Sequence, residues 1–186
     1  MKVRDDRSAL FIDSSADPVR RIGVGAFLVA PASLVEPFSP IHERREIIHH
    51  PVLRRFEGTS STTLEVQTVL WALEEYRITS ADSGQGKLRI YSDSQCIAGL
   101  LKRRPELAAK GFRSRGTDRR IRNAALYCRF YELHDELAFE VTKVKGHSCR
   151  NSRDAVQKVF SCLDRQARKE LRTWVQELEA DRKAET

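Results

Sequence analysis

The sequence predicts an α/β fold with a five-stranded mixed sheet, an antiparallel meander joined to parallel strands, flanked by helices. Short apolar runs bounded by turn residues alternate with segments of helical periodicity, in the order β-β-β-α-β-α-α-β-α. The first three strand signals follow one another without a helix between them, so antiparallel pairing is their shortest connection. The later strands alternate with helices, which is the pattern of parallel strands.

The elements can be placed along the chain from these signals. Strands are predicted at about 8–14, 22–29, 87–92 and 138–144, with weaker strand signals at 46–50 and 52–56. Helices are predicted at about 63–77, 94–103, 119–136 and 163–180. Gly23 and Gly25 in the second strand would allow another backbone to approach closely. Pro105, Gly111 and Gly116 predict that the segment around them breaks into helix, loop and helix.

Length and composition indicate one globular domain. A chain of 186 residues with 40% hydrophobic and 32% charged residues is long enough to bury one core, and we expect a single domain over residues 1–186 with its core at about 8–175. No apolar run approaches the roughly 20 residues that span a bilayer. The first residues lack the apolar core of a secretory signal. We therefore expect a cytoplasmic protein with no membrane partner and no obligate protein partner.

The positive charge is concentrated in one segment. Residues 102–122, hereafter the basic segment, carry nine basic and two acidic residues, a net charge of +7 that equals the formal net charge of the whole chain. Such a segment is typical of a protein that binds a phosphate backbone, although a solvated helix face is the plainer interpretation of a charge run. The candidate nucleic-acid-binding residues are Lys102, Arg103, Arg104, Lys110, Arg113, Arg115, Arg119, Arg120 and Arg122.

Four carboxylates lie where strands or helices begin or end. Asp13 and Asp93 end predicted strands, whereas Glu65 and Asp164 lie near the predicted starts of helices. Open α/β sheets bind ligands at the carboxyl ends of their strands, so these acids are expected to converge. Carboxylates that converge repel one another unless a cation is present, and Mg²⁺ prefers oxygen ligands and bridges to phosphate.

Each acid also has a structural interpretation. Glu65 could complete a capping box with Thr62, and Asp93 could cap the helix that it precedes. Asp164 could complement a helix dipole, and Asp13 could form a turn. The four cysteines contain no CxxC pair, and the spacing from His147 to Cys149 and Cys162 does not fit a zinc finger, so reduced thiols are expected.

Several motifs occur together in an order that resembles type 1 ribonuclease H. They are Asp13 followed by Gly23-Val24-Gly25-Ala26, Ser60 to Glu65 with its helix, Tyr91-Ser92-Asp93-Ser94-Gln95, Val144-Lys145-Gly146-His147, and Asp164-Arg165-Gln166-Ala167-Arg168. The resemblance covers about residues 8–175. It implies a ribonuclease H-like fold and an endonuclease that hydrolyses the RNA strand of RNA–DNA hybrids in a reaction dependent on Mg²⁺, leaving 5′-phosphate ends.

The resemblance also assigns roles to residues. Asp13, Glu65, Asp93 and Asp164 would be catalytic and would hold two Mg²⁺ ions, with Mn²⁺ as the alternative metal. His147 would assist proton transfer and product departure, for which a pKa near 6.5 is suited. The basic segment would grip the DNA strand. Ser60, Ser61, Thr62 and Gln95 would be further nucleic-acid contacts.

The sequence departs from the family pattern at three places. Asp13-Ser14-Ser15 replaces the usual Asp-Gly-Ser. Ser61-Thr62 replaces the Asn pair that helps recognise ribose 2′-hydroxyls, so this departure concerns hybrid selectivity more than nuclease chemistry. The stretch between His147 and Asp164 is longer than usual and contains Asp154, which competes for the role of last ligand. We prefer Asp164 because of its Asp-x-x-Ala-Arg context. We expect no N-terminal aromatic-basic hybrid-binding module, so the basic segment would have to hold the hybrid.

Two other functions remain open. One is a related nuclease of this fold with another nucleic-acid substrate, although Asp13-Ser14-Ser15 lacks the Asp-x-Glu start of proofreading exonucleases. The other is a non-catalytic nucleic-acid-binding domain, which loss of an acid would signal; none of the four is missing.

Overall fold

The nine predicted elements are present in the predicted order. A computed structural model describes residues 7–35, 51–80, 87–114, 116–144 and 154–184. The strands are β1 Ser8–Asp17, β2 Ile22–Pro31, β3 Val52–Glu57, β4 Leu88–Ser92 and β5 Glu140–Lys143. The helices are α1 Ser61–Ser80, α2 Gln95–Ala109, α3 Ala124–Leu137 and α4 Ala155–Ala184, with a 3-10 turn at Ala32–Val35. The weaker strand signal at 46–50 lies outside the described residues.

The five strands form one mixed sheet in the order β3-β2-β1-β4-β5. β1, β2 and β3 pair in antiparallel fashion, while β4 pairs in parallel with both β1 and β5. The predicted meander and parallel strands are therefore confirmed. β1 is central because the chain leaves the meander by a helical crossover and returns beside its first strand.

Alternation along the strands divides the core between the two faces of the sheet. Leu10 and Ile12 of β1 pack with buried residues of α1, α2 and α3, while Ala9 and Phe11 pack with buried residues of α4. This division follows from the period of two in a strand. Phe11 stacks on Tyr91 with ring centroids 4.9 Å apart, which joins β1 to β4 on the α4 side. The sheet thus lies between a three-helix layer and a single long helix.

Glycines in β2 bring α1 close to the sheet. A Cβ atom built on Gly25 would lie 2.4 Å from Thr68 Oγ1, and one built on Gly23 would lie 2.4 Å from Leu64 Cδ2 and 3.0 Å from the carbonyl oxygen of Ser15. Only glycine fits at these positions without a shift of the helix or its side chains. The close approach anticipated from the sequence is confirmed, and it fixes the first turns of α1 against the sheet.

Several predicted boundaries were wrong, and packing explains two of the differences. α2 continues through Pro105 to Ala109, since Leu100 and Leu107 pack in the core and hold it helical, and α3 begins at Ala124 instead of 119. α4 begins at Ala155 and not near 163, because Val159 and neighbouring apolar residues extend its buried stripe. β1 runs on to Asp17 instead of ending near Ser14.

Candidate active site

Asp13 and Asp93 are neighbours at the end of parallel pairing between β1 and β4. The last parallel pair is Ile12 with Ser92, so the next residue on each strand is an aspartate. Asp13 does not end its strand, since it still pairs with Ala26 of β2, and it forms no turn. Its Oδ1 accepts a 2.8 Å hydrogen bond from the backbone N–H of Ser14. The expected convergence of these two acids follows from strand register alone.

A hydrogen bond from the Ser94 hydroxyl holds the Glu65 carboxylate next to Asp93. Ser94 Oγ donates a 2.6 Å hydrogen bond to Glu65 Oε2 and accepts a 3.2 Å bond from the backbone N–H of Ile97. Ser94 is therefore the N-cap of α2, and the capping interpretation of Asp93 was wrong. Glu65 lies in the second turn of α1, where its carboxylate reaches Ser94.

Asp164 approaches the site from the other face of the sheet. It is the tenth residue of α4, too far from the N-terminus to complement the helix dipole, and its Oδ1 accepts a 2.6 Å hydrogen bond from Arg168 Nε. Asp154, the competing candidate, precedes α4 and accepts a 2.8 Å bond from the backbone N–H of Gln157, while its own N–H donates to Gln157 Oε1 at 3.2 Å. Asp154 thus has a structural role as a reciprocal cap. The preference for Asp164 as the last ligand stays a prediction, and its expected position at the start of the helix is wrong.

The acids share one electrostatic environment. A pocket of about 130 Å³ is lined by Ile12, Asp13, Ser14, Glu65, Ser92, Asp93 and Ser94. Burial raises the pKa of Asp13 to about 7, and the charges of Asp93 and Asp164 act in the same direction. The Ser14 N–H and the Arg168 guanidinium oppose the rise. Asp13 is therefore a carboxyl group that a nearby cation would ionise at neutral pH.

The chemistry of the pocket fits a hard divalent cation. Carboxylate oxygens are the ligands that Mg²⁺ prefers, and a cation in the pocket would offset the burial and the neighbouring negative charges that raise the pKa of Asp13. The acids do not form a complete metal-binding site. In the described ranges, no three Asp, Glu, His or Cys side chains lie close enough to hold one ion. Glu65 and Asp164 are each engaged with a hydrogen-bond partner of their own, Ser94 and Arg168.

The hydroxyl residues before α1 are linked to the end of the basic segment. Ser60 Oγ lies 2.9 Å from Thr63 Oγ1, which donates a 3.1 Å hydrogen bond to Asn123 Oδ1. Asn123 is buried and directly follows Arg122, and it was not among the residues predicted from sequence. Its position between a basic run and a helix is the only signal that could have found it. Ser61 and Thr62 are exposed in the first turn of α1.

Gln95 lies at the start of α2, two residues after Asp93. It is exposed at the start of α2, and its Oε1 accepts a hydrogen bond from Lys143 Nζ at the end of β5. Lys143 stood within the motif preceding the predicted histidine, but no role was predicted for it. The contact joins α2 to β5 beside Asp93 and Ser94. Arg115, Lys145 and the predicted catalytic His147 lie outside the described residues.

The basic segment forms the end of α2 and most of the loop that leads to α3. Backbone bonds from Ser114 to Arg119 (2.8 Å) and from Ile121 to Phe112 (2.9 Å) fold the loop back on itself, with an antiparallel bridge between Arg113 and Arg120. Phe112 packs with its ring centroid 6.2 Å from that of Tyr131, which anchors the loop to α3. The backbone that carries the arginines of this loop is therefore held in place by these contacts.

The cations of this segment are of two kinds. Some are neutralised locally: Arg104 bonds Asp135 at 2.5 and 2.6 Å, Lys110 bonds Glu106 at 2.5 Å, and Arg113 contacts Asp118 at 3.3 Å. Arg103 stacks over the Tyr127 ring, 5.8 Å from its centroid. The others are exposed and have no ion pair with a carboxylate in the described ranges; they are Lys102, Arg119, Arg120 and Arg122.

Comparison with known proteins identifies the fold. The chain aligns with the crystal structure of native prototype foamy virus protease–reverse transcriptase at a TM-score of 0.62 and 14% identity, over 87% of this chain and 20% of that one. The chain has a ribonuclease H-like fold. A foamy viral protease–reverse transcriptase in complex with dsDNA also aligns, at a TM-score of 0.53 and 11% identity, over 82% of this chain and 89% of that one.

Sequence comparison adds nothing to this assignment. No family model matches the chain, and no curated protein is detectably similar to it. The chain spans about a fifth of the first foamy virus protein, 20% of its length, so the likeness concerns the ribonuclease H-like fold. Within the described ranges, no helix is both long and apolar enough to cross a membrane.

Proposed function

We propose that this protein is a divalent-metal-dependent endonuclease that hydrolyses the RNA strand of RNA–DNA hybrids and leaves 5′-phosphate ends. The observation that carries the proposal is the pocket formed by Asp13, Glu65 and Asp93, with Asp164 acting on Asp13 from the opposite face. Each acid had a structural explanation from sequence, and none of these interactions is present. Glu65 and Asp164 keep hydrogen-bond partners of their own, but the acids around the buried Asp13 disfavour its charge, and a cation bound among them would remove that cost.

The chain's own residues orient the acids and the substrate. Ser94 fixes the Glu65 carboxylate, and Arg168 fixes that of Asp164. Two Mg²⁺ ions held among the four carboxylates would supply an activated water and stabilise the departing 3′-oxygen, and Mn²⁺ could supply the same chemistry. In-line attack by water on phosphorus breaks the P–O3′ bond, which leaves a 3′-hydroxyl and a 5′-phosphate. His147 would shuttle the proton and promote product departure.

The surface around the pocket supports a nucleic-acid substrate. Ser61, Thr62 and Gln95 are exposed at the starts of α1 and α2, beside the acids. Ribose 2′-hydroxyls can be recognised by such polar groups, which provides the distinction between RNA and DNA. The exposed arginines of the basic segment add phosphate contacts that position the duplex.

Duplex DNA is the second candidate substrate. One structural neighbour was solved in complex with dsDNA, and Ser61-Thr62 lacks the amides that the ribonuclease H family uses at this place. A nuclease that reads only duplex shape would use the same acids and the same basic segment. The two candidates differ in the strand that is cut.

A substrate panel separates these candidates. One sequence is prepared as RNA–DNA hybrid, double-stranded RNA, double-stranded DNA and single strands, each end-labelled and incubated with Mg²⁺ or with EDTA. We expect cutting of the RNA strand of the hybrid alone, and only with Mg²⁺. Cutting of the DNA duplex would favour the second candidate. If no substrate is cut with either Mg²⁺ or Mn²⁺, the endonuclease proposal is wrong.

A further inference from the structure

The outer face of α4 carries a row of cations that the proposed function does not use. Lys158, Arg165, Lys169 and Arg172, hereafter the α4 basic row, are all exposed. At about 100° per residue their spacing places them within an arc of roughly 60° on the helix, and at 1.5 Å per residue they extend over about 21 Å. The row is therefore a narrow, straight, positively charged ridge.

The acids of α4 lie outside this row, and several of them form ion pairs with arginines that are not part of it. Asp164 bonds Arg168 at 2.6 Å, while Glu170 and Glu177 hold Arg55 of β3 at 2.8 and 2.5 Å. Arg55 also lies 5.3 Å from the centroid of the Trp174 ring, which fixes this side of the helix to the sheet.

The cations of the row have no such partners. None forms an ion pair with a carboxylate in the described part of the chain, and Arg165 makes only a long contact of 3.9 Å to Cys162 Sγ. The paired acids of α4 are thus directed to protein partners, whereas the four bases of the row face solvent. A solvated helix face would more commonly intersperse both signs.

The row is separate from the basic segment and lies on the same helix as Asp164. α4 packs its buried stripe, including Val159 and Leu171, on the sheet face opposite α1, α2 and α3. The basic segment belongs to the α2–α3 side. Arg165 directly follows Asp164, whose charge acts on Asp13, so the row includes a residue next in sequence to a candidate metal ligand.

A phosphate backbone is the partner that this geometry fits. One strand of a duplex carries a charge about every 3.4 Å of its axis, so a 21 Å row faces roughly six phosphates. The row contains no apolar side chain, whereas a helix that lies on a membrane requires an apolar face. We propose that the α4 basic row is a second nucleic-acid contact that holds backbone beyond the segment bound at the pocket.

Salt-dependent binding tests this inference separately from catalysis. Anisotropy titrations in EDTA would compare a long hybrid of roughly 30 base pairs with a short one of roughly 8, which span about 100 and 27 Å. The test variant changes Lys158, Arg165, Lys169 and Arg172 to Gln. The matched control exchanges Lys and Arg at the same four positions and so keeps their charge.

If each side chain contacts one phosphate, the salt slope for the long duplex falls by about 3 to 4 in the Gln variant. The charge-retaining control should keep the wild-type slope. The short duplex, held at the pocket and the basic segment, should show no change. An unchanged slope for the long duplex would overturn the inference, as would stronger, row-dependent binding to phosphatidylserine vesicles than to duplex.

A smaller pair of variants excludes a general effect of net charge. Lys169→Gln with Arg172→Gln should lower the slope by about 2. Lys87→Gln with Arg21→Gln removes the same charge from exposed positions outside the row and should leave the slope unchanged. Equal losses in the two pairs would overturn the inference. The pairs also give a result if the fourfold variant fails to fold.

The inference rests on the proposed function and extends it to a longer substrate. Different measurements test the inference and the nuclease proposal, so the failure of one can be distinguished from the failure of the other. Cleavage of the short hybrid with Mg²⁺ tests the pocket and should be insensitive to the row. If wild type cuts nothing but the row still sets the slope for the long duplex, the inference stands and the nuclease proposal falls. If cutting occurs and the slope is independent of the row, the reverse holds.

Discussion

At Asp13, burial and two neighbouring acids oppose the ionised carboxylate, so its pKa rises to about 7. Between about pH 4 and pH 7 the folded state holds a proton that the unfolded chain, with a pKa near 3.9, has already released. Stability associated with Asp13 is therefore present at low pH and is lost as pH rises through about 7. Without a cation, the ionised site destabilises the fold.

We expect Asp13→Asn to stabilise the metal-free protein at pH 8. The shift of about 3 pKa units corresponds to at most about 4 kcal/mol, and the gain should shrink as pH falls toward 4. Urea unfolding in EDTA at several pH values measures it. Mg²⁺ should stabilise wild type more than the variant.

Asp17 supplies the matched control on the same strand. Its pKa is lowered by hydrogen bonds from the Arg20 backbone N–H and side chain, so its carboxylate favours the folded state above its unfolded pKa. Asp17→Asn should therefore lower stability at pH 8, opposite in sign to Asp13→Asn. Two changes of the same sign would contradict the electrostatic account of Asp13.

Ser94 acts as both a cap and an orienting group. Ser94→Ala should cost about 1 kcal/mol of stability through loss of the N-cap. It should also lower the affinity for Mg²⁺, because Glu65 loses its hydroxyl partner. Ser94→Thr, which keeps the hydroxyl, should restore both; calorimetric Mg²⁺ titration and urea unfolding measure them. A loss of stability with unchanged Mg²⁺ affinity would limit Ser94 to the structural role.

At the residue scale, the sequence located the four acids but not their partners. Asp13 and Asp93 could be predicted as neighbours because strand register determines where strand ends meet. Ser94, Lys143 and Asn123 could not be given their roles, because their contacts join elements distant in sequence. The sequence around Ser94 is compatible with an N-cap, but it does not indicate that the same hydroxyl also bonds Glu65.

At the scale of elements, the position of Glu65 depends on how closely α1 approaches β2. Thr68, whose Oγ1 donates a 2.8 Å hydrogen bond to the carbonyl oxygen of Leu64, fills the space above Gly25. A larger residue at position 25 must displace Thr68 or the helix itself.

Gly25→Ala should therefore destabilise the protein by about 1 to 3 kcal/mol, the usual cost of overpacking a core. It should also reduce Mg²⁺-dependent activity by shifting Glu65. Thr68→Ala, which removes the two atoms nearest the new Cβ, should recover most of the stability in the double variant. A double-mutant cycle by urea unfolding measures the coupling, and additive losses would contradict the packing account.

The elements themselves were predictable because their signals are local. Apolar periodicity and turn residues gave every strand and helix in the described ranges, but the ends of α2 and α4 were wrong. Pro105 would end an isolated helix, yet packing of Leu100 and Leu107 sustains α2 beyond it. Tertiary contacts of this kind have no signature in a short window of sequence.

At the scale of the whole molecule, net charge does not indicate which cations are available. Arg104 and Lys110 are neutralised by Asp135 and Glu106, whereas Arg119 and Arg120 have no carboxylate partner in the described ranges. The sequence could place all of them in one basic segment but could not separate the two kinds.

Removing unpaired cations should affect binding more than removing paired ones. Arg119→Gln with Arg120→Gln should lower the salt slope for hybrid binding by about 2. Arg104→Gln with Lys110→Gln makes the same change in net charge and should lower it less, because those charges are already compensated. Equal losses would mean that the local ion pairs open on binding.

The central claim is that four carboxylates from both faces of the sheet act as one metal-dependent centre. The most direct measurement is single-turnover cleavage of a strand-labelled RNA–DNA hybrid in Mg²⁺ by wild type and by Asp13→Asn, Glu65→Gln, Asp93→Asn and Asp164→Asn, with Asp154→Asn as the control. We predict that each of the four loses at least about 100-fold in rate, a loss of nearly 3 kcal/mol in transition-state stabilisation, while Asp154→Asn cuts like wild type. Near-normal cleavage by Asp13→Asn, or a loss confined to Asp154→Asn, would contradict the account.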